Sequence, residues 1–195
     1  MSPASLISGH LDYRPTTDEK EYLRGLAQNG QKPHTMFIGC CDSRVIPEQF
    51  TGAKPGEIFV LRNIANHVPD YQDRDISVRS AITYAVQYLN VQHIVVCGHT
   101  GCGGVQAAQD PTAIQDAPLR EWIQNVHANV EENALASTEN LRTYPIIQDR
   151  LAQNQIQLHT WVYAIETQTI RVWANKWMPV EDLLAPTSVT PRCVR

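Results

Sequence analysis

Three short apolar runs, each bounded by glycine, proline or polar residues, constrain this chain more than any other feature. They read TMFIGC at 35–40, GEIFVLRN at 56–63 and VQHIVVCGH at 91–99. Runs of this length are typical of strands buried on both faces of a parallel sheet. Between the last two, the segment ISVRSAITYAVQYL at 76–89 has apolar residues at i, i+3, i+4 and i+7, which predicts an amphipathic helix. Strand, helix and strand make a βαβ unit.

Other segments extend this pattern. Thr16 and Glu19 predict a capping box at the start of a helix, and 118–130 again shows helical spacing. Residues 155–174 read as a hairpin that turns near Thr167. The sequence therefore predicts an α/β fold, with a mostly parallel β-sheet core, flanking helices and an antiparallel edge.

Length and charge limit the organisation and the partners. A chain of 195 residues predicts one domain, 1–195, with an N-terminal helical arm at about 1–30 and a loose C-terminal tail at about 182–195. A formal charge of -4 without a basic stripe argues against nucleic acid, and no apolar window approaches the roughly 20 residues of a membrane span. An odd number of cysteines, five, without a secretion signal favours reduced thiols in a cytoplasmic protein.

Cysteine and histidine side chains stand at two strand ends. Cys40 closes the first run, while His99 and Cys102 follow the third. Since ligands gather at the carboxyl ends of parallel strands, the three can meet there, and zinc takes this donor set with a fourth position open. Core packing or accident stays an alternative for this local pattern. The adjacent Cys41 would point the other way and is assigned no metal.

Asp42 and Arg44 follow directly in the stretch CCDSR. An Asp and an Arg two residues apart can be an ordinary surface ion pair of little energetic weight. Together with the cysteines they form a longer pattern, CxDSR followed much later by HxxCGG, which is far more specific than either half.

With these residues in place, the sequence resembles the β-class carbonic anhydrases. The match runs from about Gln31 to Asp110, through QKPHTMFIGCCDSRVIPEQFTGAKPGEIFVLRNIANHV and YAVQYLNVQHIVVCGHTGCGGVQAA, and resumes weakly later.

The resemblance implies one zinc ion per chain, bound by Cys40, His99 and Cys102, and a catalytic dyad of Asp42 and Arg44. It also implies a pocket for carbon dioxide and bicarbonate at a dimer interface, lined by Gln31, Phe59, Tyr84, Val45 and Gly103. For Phe59 and Tyr84 alone, core packing is the alternative. A homodimer, or a tetramer of dimers, follows from that pocket.

The implied activity is zinc-dependent reversible hydration of carbon dioxide to bicarbonate and a proton by zinc-bound hydroxide. Two alternatives stay open: a carbonyl sulfide or carbon disulfide hydrolase on the same scaffold, and a structural zinc protein without catalysis.

The chain departs from the family pattern at three places. The helical segment that starts near Val130 is short, Cys41 replaces a small polar residue, and the usual HGW is HTW from His159. The family's non-catalytic bicarbonate site would fall at Phe37, Arg62 and Tyr163, where its tryptophan is missing, so that site is not expected to work.

Overall fold

The computed structural model describes residues 1–73 and 75–184, and the chain separates into two compact units, Met1–Lys32 and Pro33–Arg195. Among the described residues, no helix combines the length and the apolar character needed to cross a membrane. The predicted tail begins inside the last described helix, at residues 182–184, and its remainder, including Cys193, lies outside the described residues.

The first unit consists of helices α1 (Pro3–Asp12) and α2 (Thr17–Asn29). The predicted capping box is present at α2, because the Glu19 N–H donates to Thr16 Oγ1 at 3.2 Å and the Thr16 N–H donates to Glu19 Oε2 at 2.7 Å. The single-domain organisation with a helical arm stays a prediction. Gln31 follows α2 within this unit.

The second unit contains a six-stranded sheet in the order β2-β1-β3-β4-β5-β6. Its strands are β1 (Thr35–Cys40), β2 (Ile58–Asn63), β3 (His93–His99), β4 (Gln157–Ala164), β5 (Thr169–Trp173) and β6 (Trp177–Pro179). β1 pairs in parallel with β2 and β3, and β3 with β4, while β5 and β6 add antiparallel pairs. The predicted fold class is confirmed, since the three apolar runs form parallel strands and the predicted hairpin leads from the parallel strand β4 into the antiparallel edge.

Helices surround this sheet. They are α3 (Pro47–Thr51), α4 (Ile76–Thr83), α5 (Gly103–Ala107), α6 (Ala117–Ile123), α7 (Val130–Leu141), α8 (Pro145–Ala152) and α9 (Val180–Leu184). Side chains alternate along a strand, so Met36 and Ile38 of β1 join a core cluster with α4, α7 and α8, whereas Phe37 joins a second cluster with Val95 and Cys97.

Two predicted helices differ from the observed ones. The helix at 76–89 is α-helical only to Thr83 and continues as a π-turn, Tyr84–Tyr88, in which the Leu89 N–H donates to the Tyr84 carbonyl. The helix predicted over 118–130 ends at Ile123. Asn129 prevents a continuous helix, because its backbone is extended and its side chain caps α7 by accepting from two backbone N–H groups.

The segment that is short compared with the family still forms a helix. α7 spans twelve residues and buries Ala134, Thr138 and Leu141. The Thr160 hydroxyl of β4 donates to Thr138 Oγ1 at 2.8 Å. This side of the sheet therefore keeps its helical layer.

Candidate metal centre

Cys40, His99 and Cys102 converge at one end of the sheet. Cys40 is the last residue of β1, His99 the last of β3, and Cys102 immediately precedes α5. Because β1 and β3 are neighbouring parallel strands, their carboxyl ends lie side by side. One donor atom from each residue lies within 4.8 Å of the other two, and all three side chains are buried. The structure thus brings together the three residues that the sequence predicted as ligands.

The two thiols are in direct contact. Cys40 Sγ lies 3.8 Å from Cys102 Sγ, and both are free cysteines. A hydrogen bond from the Cys102 thiol lowers the pKa of Cys40 to about 4, and the same hydrogen bond raises the pKa of Cys102. Two sulfur ligands of one tetrahedral zinc, each about 2.3 Å from the ion, also lie about 3.8 Å apart. The sulfur separation therefore fits a metal ion that would replace the shared proton.

His99 offers one nitrogen to this cluster. Its Nδ1 lies 2.9 Å from the Thr100 carbonyl oxygen, so Nδ1 carries the proton and donates. Its Nε2 is buried and finds no hydrogen-bond partner among the described residues. A buried lone pair without a partner is costly, and a metal ion would satisfy it. The donor set suits Zn²⁺, which binds thiolate and imidazole.

Asp42 and Arg44 lie beside the three candidate metal ligands and form a bidentate ion pair with one another. Arg44 Nε donates to Asp42 Oδ1 at 2.9 Å and Arg44 Nη2 to Oδ2 at 2.7 Å, while the Arg44 backbone N–H adds a third bond at 3.0 Å. These bonds hold the pKa of Asp42 well below its usual range. Asp42 Oδ2 is 3.9 Å from His99 Nε2, so the carboxylate borders the donor cluster while both of its oxygens face the guanidinium.

Two residues that the sequence reasoning did not place at this site also shape it. Arg62 donates to the carbonyls of Cys40 and Asp42 at 2.8 and 2.7 Å, which fixes the backbone between ligand and carboxylate. Ala65, with φ 62, gives its N–H to the Cys40 thiolate. The position of Arg62 at the end of the apolar run FVLRN could have indicated that it has polar partners near the strand end. Nothing in the sequence indicated a role for Ala65.

The predicted pocket residues of the second unit lie in three different places. The rings of Phe59 and Tyr84 lie 5.9 Å apart, with Tyr84 half exposed, and both belong to the α4 side of the sheet. Val45 is buried in the cluster of Phe37 on the other side. Gly103 begins α5 with open space around it.

A different cavity of about 310 Å³ opens beside Cys102 and is lined by Thr100, Gly101 and Arg171, among others. Phe59, Tyr84 and Val45 do not line it. The predicted substrate pocket, including Gln31 of the first unit, therefore stays a prediction.

The positions that match the family's bicarbonate site form an aromatic cluster instead. Phe50 stacks on Tyr163 with ring centroids 4.2 Å apart, and Phe37 packs edge-on against Phe50 at 6.0 Å. The Arg62 guanidinium donates to the carbonyls of Cys40 and Asp42.

Fold and site together define a class of protein: an α/β protein with a buried Cys₂His site suited to a metal ion, flanked by an arginine-bound aspartate. A sequence family described as carbonic anhydrase matches residues 35–134 and 124–170. A carbonic anhydrase of Pseudomonas aeruginosa is 38% identical over 186 residues, covering 85% of this chain and 84% of that protein. One from Synechococcus elongatus is 36% identical over 160 residues, covering 71% of this chain but only 59% of its own length.

The solved structure of the beta-carbonic anhydrase CcaA has a TM-score of 0.85 to this fold, with 28% identity, covering 90% of this chain and 91% of that chain. The chain belongs to the β-class carbonic anhydrase family.

Proposed function

We propose that this protein catalyses the reversible hydration of carbon dioxide to bicarbonate and a proton. The observation that carries the proposal is the arginine-bound carboxylate of Asp42, 3.9 Å from the unpartnered His99 nitrogen. A purely structural metal site would be expected to use that carboxylate as its fourth ligand. Here Arg44 binds both carboxylate oxygens, which supports a site with one position free for water.

Cys40, His99 and Cys102 would hold one zinc ion per chain. When bound, zinc supplies the nucleophile by lowering the pKa of a coordinated water. If the assignment is right, metal analysis of Cys40→Ser will show loss of zinc. The exposed neighbour Cys41 provides a matched control, since Cys41→Ser should retain the full metal content.

The remaining roles belong to the protein's own groups. Asp42, ionised across the physiological range, is an acceptor-only group that can take a hydrogen bond from the attacking water and orient it. Arg44 holds this carboxylate bidentately, a geometry that a lysine would not reproduce. In the proposed pocket the Gln31 amide donates to a developing carboxylate oxygen, while Phe59 and Tyr84 keep the small apolar substrate away from bulk water.

A homodimer, or a tetramer of dimers, forms part of the proposal. The half-exposed ring of Tyr84 does not make a dry pocket within one chain, so a second copy is needed to enclose it. A cytoplasmic location is also part of it, because free thiols 3.8 Å apart would oxidise readily in an oxidising compartment.

Stopped-flow measurement of carbon dioxide hydration by the zinc-loaded protein tests the proposal. We expect rapid hydration that is lost in Cys40→Ser and retained in Cys41→Ser. A carbonyl sulfide assay on the same samples addresses the rival hydrolase. Absence of hydration in a fully zinc-loaded, folded protein would overturn the proposal, and turnover of carbonyl sulfide alone would assign the hydrolase activity instead.

A further inference from the structure

Two consecutive carbonyl groups connect the metal ligands with the Asp42 and Arg44 pair. The Thr100 carbonyl accepts from His99 Nδ1 at 2.9 Å, and the Gly101 carbonyl accepts from Arg44 Nη2 at 3.0 Å. One peptide turn therefore sets both the ring of a ligand and the position of the guanidinium. Gly101 has φ 64, a conformation that glycine adopts without strain. Because glycine is also the most flexible residue in a backbone, contacts from outside the turn help to fix the direction of its carbonyl groups.

The Thr100 side chain supplies such support from the β4–β5 hairpin. Its hydroxyl donates to Glu166 Oε2 at 2.7 Å and accepts from the Ile165 N–H at 3.0 Å. The Thr100 N–H donates to the Tyr163 carbonyl at 3.0 Å. Three hydrogen bonds thus join this turn to the end of β4, and the hydroxyl uses both its donor and an acceptor.

Glu166 also acts on Arg44 through its charge. The pKa of Arg44 is raised first by its hydrogen bonds to Asp42 and further by the negative charge of Glu166. The hydrogen bond from Thr100 lowers the pKa of Glu166, which keeps that carboxylate ionised. Glu166 therefore binds the turn through the Thr100 hydroxyl, and its negative charge favours the positively charged guanidinium of Arg44.

We propose that Thr100 and Glu166 are positioning residues that fix the turn at residues 100–101, and through it the imidazole of His99 and the guanidinium of Arg44. The inference rests on the proposed function for its effect on hydration, but its effect on metal retention does not require any substrate. Groups that orient a metal-bound histidine typically contribute 10- to 100-fold to metal affinity.

The test measures zinc release to a chromogenic chelator, together with carbon dioxide hydration, for zinc-loaded full-length variants. Thr100→Val removes the hydroxyl with little change in shape, and Thr100→Ser restores it. Glu166→Ala removes the acceptor and the charge, whereas Glu166→Gln keeps an acceptor. Thr169→Val is the matched control, because the Thr169 hydroxyl belongs to the same hairpin but pairs with the exposed Thr167 hydroxyl at 2.8 Å.

We expect zinc release from Thr100→Val and Glu166→Ala to be about tenfold faster than from wild type, with a parallel fall in kcat at little changed KM. Thr100→Ser, Glu166→Gln and Thr169→Val should release zinc at the wild-type rate. Should Thr100→Val fail to fold, the exposed Glu166→Ala carries the test. Wild-type zinc release in Glu166→Ala, or failure of Thr100→Ser to restore it, would overturn the inference. If the wild-type protein hydrates no carbon dioxide but zinc release responds as expected, the proposed function fails and the positioning role stands.

Discussion

At the scale of single residues, the stretch CCDSR assigns different tasks to adjacent side chains. Cys40 ends a strand and points into the buried donor cluster, while Cys41 is exposed. Asp42 and Arg44, two residues apart, bind one another through the planar fork of the guanidinium. The convergence of parallel strand ends predicted that Cys40 would meet His99 and Cys102. The pairing of Asp42 with Arg44 was implied by the family resemblance, because an Asp and an Arg two residues apart can equally be an ordinary surface ion pair.

Arg44→Ala tests what holds Asp42 in place. Without the guanidinium, the carboxylate becomes free to occupy the position that the proposal reserves for water. We expect the variant to keep its zinc and to lose most hydration activity, at least tenfold. Zinc-edge absorption spectra should show an additional oxygen ligand of carboxylate type in the variant. The exposed Arg142, paired with Glu139, gives a control, since Arg142→Ala should behave as wild type.

A contrary result would have a clear meaning. If Arg44→Ala retains a water-bound zinc and a near-normal hydration rate, Asp42 and Arg44 form only a structural ion pair, and the orientation of the nucleophile has to come from another group.

At the scale of elements, the local sequence pattern predicted the strands more accurately than it predicted where the helices end. β1 and β3 follow their apolar runs closely, because burial on both faces leaves little choice of residue type. The π-turn after Thr83 and the end of α6 at Ile123 depend on contacts made elsewhere, such as the cap that Asn129 places on α7. Ala65 is similar, since its left-handed backbone lies between distant partners: its N–H donates to the Cys40 thiolate and its carbonyl accepts from Asn133 Nδ2. Distant contacts of this kind leave no periodic trace in a sequence.

The packing of α5 against Ala65 makes a prediction at this scale. A Cβ on Gly104 would lie 2.8 Å from Ile64 Cγ2, 3.0 Å from Ala65 Cβ and 3.3 Å from the Ala65 nitrogen. Gly104→Ala must therefore shift the Ile64 side chain, and it presses on the Ala65 backbone that donates to Cys40. We expect a loss of about 1–3 kcal/mol in the free energy of unfolding and weaker zinc retention. Gly103→Ala is the matched control, because nothing lies within 4 Å of its Cβ. Chemical denaturation and metal analysis measure both. Equal behaviour of the two variants would mean that Ala65 does not support the thiolate.

At the scale of the whole molecule, buried histidine links stability to pH. Burial lowers the pKa of His67 to about 4 from an ordinary value of about 6.5. Between those values the unfolded chain binds a proton that the folded chain does not, so stability falls as pH drops below about 6.5. The shift corresponds to at most about 3 kcal/mol, of which about 2 kcal/mol is lost by pH 5.

His67→Phe removes this titration while keeping a ring against Trp122. Denaturation at pH 7 and at pH 5 gives the unfolding free energy of variant and wild type. From pH 7 to pH 5 the wild type should lose about 2 kcal/mol more than the variant. His10→Gln, at another exposed histidine, should give the same difference from wild type at both pH values. A pH-independent difference for His67→Phe would show that the pKa of His67 is the same in the folded and the unfolded protein.

The second molecular property is the assembly of chains that the proposed pocket calls for. Tyr84 and Tyr88 are 46% and 70% exposed and stack on one another beside Phe59, so one copy of the chain presents an aromatic surface to water. We expect light scattering to give at least twice the chain mass and Tyr88→Arg to give monomers, because a charge in a closely packed apolar interface is costly. The monomers should lose most hydration activity yet keep their zinc, since both thiols and His99 belong to one chain. Leu119→Arg, an exposed apolar position on α6, controls for the added charge. A wild-type monomer whose hydration rate per chain is independent of protein concentration would show that one copy completes the pocket by itself.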